Sequence, residues 1–113
     1  MEITTEKYPS YTTVTPKGDI DANSSIPLDQ KVGDLVEGGE SNIHISCKEV
    51  PYISSAGLGV FISKLDEIQA KSGDLVLSGM RENVKEAVNL LGLDQMVTIF
   101  DSEVDVEKYF NQE

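Results

Sequence analysis

The chain has 113 residues, 39% of them hydrophobic, and its 20 acidic against 9 basic residues give a formal net charge of −11. The length suits one domain over residues 1–113 with one core, and the hydrophobic content is above that of a disordered chain. An acidic surface repels phosphate backbones and anionic lipids, which excludes nucleic acid and membrane surfaces as favoured partners and favours a basic protein partner.

The chain begins with a predicted antiparallel hairpin. Alternating side chains and β-branched residues predict strands over 2–8 and 11–17. Pro9 and Ser10 between them supply the turn chemistry.

A first helix follows the polar segment GDIDANSS at 18–25. Apolar residues recur at helical spacing from about 25 to 37, with polar residues on the other side. Ser24 or Ser25 is the candidate N-cap, and a proline in the first turn fits a helix start. A Gly-Gly pair ends the helix.

Strands and helices alternate through the rest of the chain. In the third helix we expect Leu91 to face inward, and we expect Ser102 to cap the fourth. The predicted strands are 42–47, 74–80 and 96–100, and the predicted helices are 56–71, 81–91 and 102–110.

The resulting order, ββαβαβαβα, predicts an α/β fold. Strand–helix–strand units form right-handed crossovers between parallel strands, so the sheet is mixed and mostly parallel. The strands alternate apolar with polar residues more than strands covered on both faces do. We therefore expect a single layer of helices that covers mainly one face of the sheet.

Most signatures of an enzyme are missing. His44 is the only histidine and lies in an alternating strand, which favours a hydrogen-bonded structural histidine over a catalytic base. The single Cys47 excludes an internal disulfide and a multi-cysteine metal site, and its alternating run favours a buried thiol. No phosphate-binding loop is present. We expect no catalytic residue, metal or cofactor.

The first ten residues, MEITTEKYPS, lack the apolar stretch of a signal peptide. No apolar run approaches the roughly 20 residues of a membrane helix. We therefore expect a cytoplasmic protein.

Two serines in YISSAGLG, residues 52–59, begin the second predicted helix. One interpretation is an N-cap, in which a serine hydroxyl accepts a hydrogen bond from an unpaired backbone N–H. The other is a phosphorylation site, because a helix N-terminus stabilises an added anion without loss of the helix. Both interpretations remain open for Ser54 and Ser55.

Within the predicted ββαβαβαβα order lie three segments, GDID at 18–21, ISSAGLGVF at 53–61 and SGMRENVKEAVNLLGLDQMVTIFDS at 78–102. Together with that order they resemble the STAS domain, which anti-sigma factor antagonists share with the cytoplasmic tails of sulphate transporters. The resemblance runs over nearly the whole chain and implies the free-standing anti-sigma factor antagonist branch.

In that family the phosphoacceptor is the serine of an Asp-Ser-Ser/Thr-Gly-Leu-Gly motif. Matched on the Gly-Leu-Gly at 57–59, the resemblance places the acceptor at Ser55. Ser54 stands where the family has aspartate, and Ala56 where it has serine or threonine. The first departure puts kinase recognition in doubt and leaves Ser54 as a rival acceptor.

The family's acidic residue after the second strand matches Asp21, which has a turn or cap residue as its alternative interpretation. The partner-binding residues that the resemblance implies are Asp19, Asp21, Ser54, Ser55, Gly57 and Leu58.

The resemblance implies partner switching by a protein that itself catalyses nothing. The implied partners are an anti-sigma factor with serine-kinase activity and a PP2C-type phosphatase. One alternative is a STAS scaffold or sensor that serine phosphorylation does not control. A second alternative is a small enzyme that uses Asp19 or Asp21 together with Ser55.

Overall fold

The computed structural model describes residues 1–111 of the chain. Its strands form one sheet and lie side by side in chain order. The first two strands are antiparallel and every later neighbour is parallel, which confirms the predicted mixed sheet. The strands are β1 (Glu2–Lys7), β2 (Thr12–Lys17), β3 (Asn42–Ser46), β4 (Asp74–Ser78) and β5 (Thr98–Phe100).

The helices agree with the predicted elements to within two residues at each end. The sequence did not predict the short 3-10 helix at Leu93–Gln95. No helix within residues 1–111 is long and apolar enough to cross a membrane. The α-helices are α1 (Ser25–Glu37), α2 (Ser55–Ala70), α3 (Glu82–Leu90) and α4 (Glu103–Phe110).

The main core lies between one face of the sheet and α1, α2 and α3. Alternate strand residues point to this face, as the period of two in a strand requires. The helices contribute buried side chains at intervals of three or four residues. Among the fully or almost fully buried members are Val14, Ile43, Ile45, Leu75 and Leu77 from the strands and Leu28, Val32, Phe61, Leu65, Val84 and Val88 from the helices.

Helix α4 packs on the opposite face of the sheet. Val106 is fully buried there against Tyr11 and Val76, with the rings of Tyr109 and Phe110 beside them. The prediction that helices cover mainly one face is confirmed for α1, α2 and α3. Helix α4 is the exception to the predicted single layer, because Tyr11 and Val76 give the other face a small apolar surface of its own.

His44 and Cys47 lie in the positions that the sequence predicts. His44 is 1% exposed, and its Nδ1 and Nε2 lie 2.9 Å from Oγ1 of Thr13 and 2.6 Å from Oγ of Ser78. Burial lowers the pKa of His44 to about 4, so the ring is neutral at pH 7. Burial also raises the pKa of the Cys47 thiol to about 12. Both side chains are structural.

The predicted inward orientation of Leu91 is wrong, because this side chain is 55% exposed. Helix α3 ends at Leu90, and the chain then turns through Gly92 in a left-handed conformation with φ of 73°. The turn brings Leu93, which is fully buried, into the core in place of Leu91.

Candidate functional site

Backbone hydrogen bonds join the GDID and YISSAGLG segments at the carboxyl end of the parallel strands. The amide of Ile20 donates to the carbonyl of Tyr52 over 2.9 Å, and the amide of Ser54 donates to the carbonyl of Ile20 over 2.8 Å. Ile20 and Ile53 form a parallel bridge. This pairing places both aspartates of GDID next to the start of α2.

The two serines at the start of α2 have different environments. Ser54 is the N-cap, with extended backbone angles, and its Oγ accepts a hydrogen bond from the amide of Gly57 over 3.3 Å. Ser55 is the first residue of the helix and is exposed. Its hydroxyl makes no side-chain hydrogen bond within residues 1–111. The cap therefore belongs to Ser54, and the Ser55 hydroxyl is accessible.

The surface around Ser55 consists of small residues and backbone. Ala56 and Gly59 are both exposed, and a Cβ atom at position 59 would meet no other atom within 4 Å. The first turn of α2 carries no acidic side chain that would repel an added anion. The positive end of the helix is thus open to an anion or to a partner's surface.

Gly57 and Leu58 lie beneath this surface. Leu58 is 4% exposed, and Gly57 is also buried. The predicted contacts of these two residues with a partner stay a prediction, and in this structure both side-chain positions face the core. Both residues support the site by packing against the core.

Asp21 caps the turn that leads into α1. Its Oδ1 accepts hydrogen bonds from the amides of Asn23 and Ser24 over 3.0 and 2.9 Å, and its carbonyl accepts from the amide of Ser25 over 2.9 Å. In return, Oγ of Ser24 accepts from the amide of Asp21 over 2.8 Å, as in a capping box. Ser24, one of the two predicted candidates, is the N-cap residue of α1, but its side chain makes no cap hydrogen bond to the helix. The carboxylate of Asp21 accepts the amides of this turn instead.

Both aspartates of GDID are exposed and add negative charge beside Ser55. The hydrogen bonds from Ser24, the backbone amide first, hold the pKa of Asp21 below its usual range. Asp21 is therefore fixed and ionised. The carboxylate of Asp19 makes no hydrogen bond or ion pair within residues 1–111, whereas its carbonyl accepts from the Ser24 hydroxyl over 2.6 Å.

This arrangement is suited to binding. A serine nucleophile requires a base within hydrogen-bond reach, and no described side chain bonds to Ser55. The only histidine lies on the face of the sheet opposite α2 and is bonded to Thr13 and Ser78. The geometry thus gives no support to an enzyme that pairs Asp19 or Asp21 with Ser55.

Two further residues, which the sequence analysis did not single out as site residues, lie beside the same segment. Tyr52 directly precedes the bridge residue Ile53 and is 51% exposed. Asn83, at the start of α3, donates from Nδ2 to the carbonyl of Pro51 over 2.8 Å. A local pattern does not reveal the Asn83 contact, because the two residues are 32 positions apart.

Similar proteins point to one family. The anti-sigma-B factor antagonist of Bacillus subtilis (strain 168) is 32% identical over 82 residues, which are 73% of this chain and 74% of that protein. A candidate anti-sigma factor antagonist from Thermotoga maritima superposes with a TM-score of 0.93 at 21% identity, over 97% of this chain and 95% of the other.

The phosphorylated form of the Bacillus cell fate determinant SpoIIAA superposes with a TM-score of 0.75 at 14% identity, over 96% of this chain and 99% of that one. At such identities the structural likeness shows a shared fold. The family model described as the STAS domain matches residues 2–106, nearly the whole chain. This protein belongs to the STAS domain family.

Proposed function

We propose that this protein is an anti-sigma factor antagonist that acts by partner switching in the cytoplasm. Unphosphorylated, it binds an anti-sigma factor that is also a serine kinase, and the sigma factor is released. The kinase transfers the terminal phosphoryl group of ATP to Oγ of Ser55, and the complex dissociates. A PP2C-type phosphatase hydrolyses the phosphoserine and restores the binding form.

One observation carries this proposal: the exposed hydroxyl of Ser55 stands beside a serine that already serves as the cap. A kinase must reach an accessible hydroxyl. The hydroxyl of Ser54 is less accessible, because Ser54 is half-buried and its Oγ accepts the N-cap hydrogen bond. The similar proteins support the role, since they include an antagonist of an anti-sigma factor and a phosphorylated SpoIIAA.

The effect of the phosphate follows from its charge. It adds about −1.5 to −2 charges at pH 7 next to the exposed Asp19 and Asp21. The N-terminus of α2 stabilises this anion, so the fold persists. A partner surface that fits the neutral Ser55 then meets added bulk and repulsion from any acidic or nucleotide group of its own. A shift from about 99% bound to about 99% free needs roughly a 10⁴-fold difference in affinity.

The presence of Ser54 favours a second candidate, because the family motif has aspartate at that position. In this alternative the domain is a STAS scaffold or sensor whose binding does not depend on serine phosphorylation. Ser54 and Ser55 would then serve only the start of α2.

Intact-mass measurement after incubation with ATP and a lysate of the native cells distinguishes the two candidates. We expect the wild type and Ser54→Ala to gain one phosphate and Ser55→Ala to gain none. Ser63→Ala, at an exposed serine further along α2, is the matched control and keeps the phosphate. Lack of phosphate on every form, in a lysate that phosphorylates a reference substrate, supports the scaffold. Loss of the phosphate in Ser54→Ala alone moves the acceptor to Ser54.

A further inference from the structure

Helix α4 leaves part of the sheet face opposite α2 uncovered, and a cavity of about 380 Å³ lies beside it. Side chains of β1, β2 and β3 form its floor. The hairpin turn with Tyr8 and Tyr11 and the first turns of α4 form its walls. Neither the Ser55 surface nor the sequence motifs involve this region.

The floor of the cavity is preformed. Thr13 and His44 are 8% and 1% exposed, and a chain of hydrogen bonds runs from Thr13 through His44 to Ser78 across three strands. Every buried side-chain nitrogen and oxygen within residues 1–111 has a hydrogen-bond partner. The buried polar groups of the floor are therefore already hydrogen-bonded within the protein, and the groups that a ligand can contact lie on the walls.

One wall is a stack of aromatic rings. The Tyr8 ring lies on the Tyr11 ring with centroids 4.9 Å apart, and Tyr11 lies on Phe110 at 4.8 Å. Tyr8 ends the stack and is 37% exposed. The face of such a ring attracts an ammonium or guanidinium group.

The charge in the cavity is negative. Four glutamates and two lysines line it. The two lysines are each within 4.0 Å of a glutamate, Lys17 of Glu49 and Lys48 of Glu103. Glu6 and Glu107 form no ion pair within residues 1–111. The pKa of Tyr11 is raised, first by burial and then by the carboxylates of Glu107, Glu103 and Glu6. The negative potential of these carboxylates therefore reaches the aromatic wall.

We propose that this cavity is a docking site for a basic segment of a protein partner, with a lysine or arginine side chain over the Tyr8 ring between Glu6 and Glu107. Charge complementarity selects a cation. The position of β1 favours a peptide over a free amine as the ligand. β1 is the edge strand of the sheet, so its outer backbone groups can form hydrogen bonds with an extended segment. The site lies on the opposite face from α2, so it is independent of Ser55.

Titration with a defined peptide tests the proposal. The probe is an acetylated and amidated octapeptide, KTRVKTRV, and its uncharged counterpart carries acetyl-lysine and citrulline instead. Two-dimensional ¹H–¹⁵N spectra and calorimetry at low salt give the location and affinity of binding. We expect the backbone amide signals of Glu6, Tyr8 and Glu107 to shift with the basic peptide and not with its uncharged counterpart. We also expect Glu6→Gln/Glu107→Gln to bind at least tenfold more weakly.

The matched control is Glu37→Gln/Glu86→Gln, which removes two exposed carboxylates from α1 and α3. It should bind like the wild type, and Tyr8→Leu should weaken binding severalfold while Tyr8→Phe does not. Circular dichroism verifies that each variant is folded. Equal weakening in both double variants overturns the proposal, since it indicates attraction to net charge alone. Binding of spermidine without binding of the peptide overturns the assigned partner.

Ser55→Asp separates this inference from the proposed function. The docking site predicts unchanged peptide affinity in this variant, and a loss of affinity contradicts its independence. If Ser55 is not phosphorylated in the intact-mass experiment, the proposed function fails, but the basic peptide should still bind to the cavity.

Discussion

Gly57 stands so close to Ile20 that a Cβ atom at position 57 would lie 2.6 Å from Cγ2 of Ile20 and 3.1 Å from its carbonyl oxygen. Ile20 lies between the two aspartates of GDID, and Gly57 lies in the first turn of α2. The absence of a side chain at Gly57 therefore permits the contact that brings the aspartates beside Ser55.

Gly57→Ala should destabilise the protein by about 2 kcal/mol, because the added methyl group overpacks a core contact. The urea midpoint measures the loss in stability. We also expect shifted amide signals at Asp19 and Asp21 in ¹H–¹⁵N spectra, as the two segments move apart.

Gly59→Ala is the matched control two residues further along α2. A Cβ atom there meets nothing within 4 Å, and alanine favours the helix over glycine by about 1 kcal/mol. We expect a higher urea midpoint. Loss of stability in both glycine variants would contradict the assignment of the Gly57 effect to contact with Ile20.

Ser54→Ala and Ser55→Ala should differ in stability. Ser54→Ala removes the N-cap bond to Gly57 and should cost about 1 kcal/mol, whereas Ser55→Ala should leave the free energy of unfolding within about 0.5 kcal/mol of the wild type. Chemical denaturation of the two variants measures this difference. The reverse order of stability would show that Ser55 is the cap and would undermine its assignment as the accessible hydroxyl.

Asp21→Ala should loosen the turn before α1. Its carboxylate accepts the amides of Asn23 and Ser24, so those amides lose their acceptor. We expect faster hydrogen exchange at both positions. Asp19→Ala is the control. Asp19 contacts Ser24 through its backbone carbonyl, which the substitution leaves in place, so exchange at the two amides should not change. Equal exchange in the two variants would argue against Asp21 as the cap.

Acid should destabilise the fold through His44 between pH 6.5 and about 4. The folded state holds this histidine neutral with a pKa of about 4, whereas an unfolded chain protonates it near 6.5. The unfolded state thus binds more protons in this window, and the free energy of unfolding should fall by about 2 kcal/mol from pH 7 to pH 5.

Because His44 is the only histidine, its imidazole signals give the pKa directly by NMR titration. A pKa near 6.5 in the folded protein would refute this prediction. His44→Gln, in which the glutamine amide can also donate and accept, should lose most of the stability difference between pH 7 and pH 5.

The sequence alone determined the order and type of the strands and α-helices. Leu28 and Val32 on α1, or Ile43 and Ile45 on β3, repeat at the spacing of a helix and of a strand, and both pairs are buried. Such periodicity follows from the local geometry of a helix or a strand and does not depend on how the elements pack together. The proposal of Ser55 as the acceptor came from the resemblance at residues 57–59.

Only the tertiary structure decided how distant segments meet. It placed Ile20 against Gly57, gave the cap of α2 to Ser54 and left Ser55 accessible. It also placed α4 on the second face of the sheet, where its first turns and the β1–β2 hairpin form the acidic aromatic cavity. Local patterns cannot supply the Ile20–Gly57 contact or the position of α4, because each depends on steric fit between residues in different elements. The pattern also left the cap open between two adjacent serines, and the backbone at the start of α2 assigns it to Ser54.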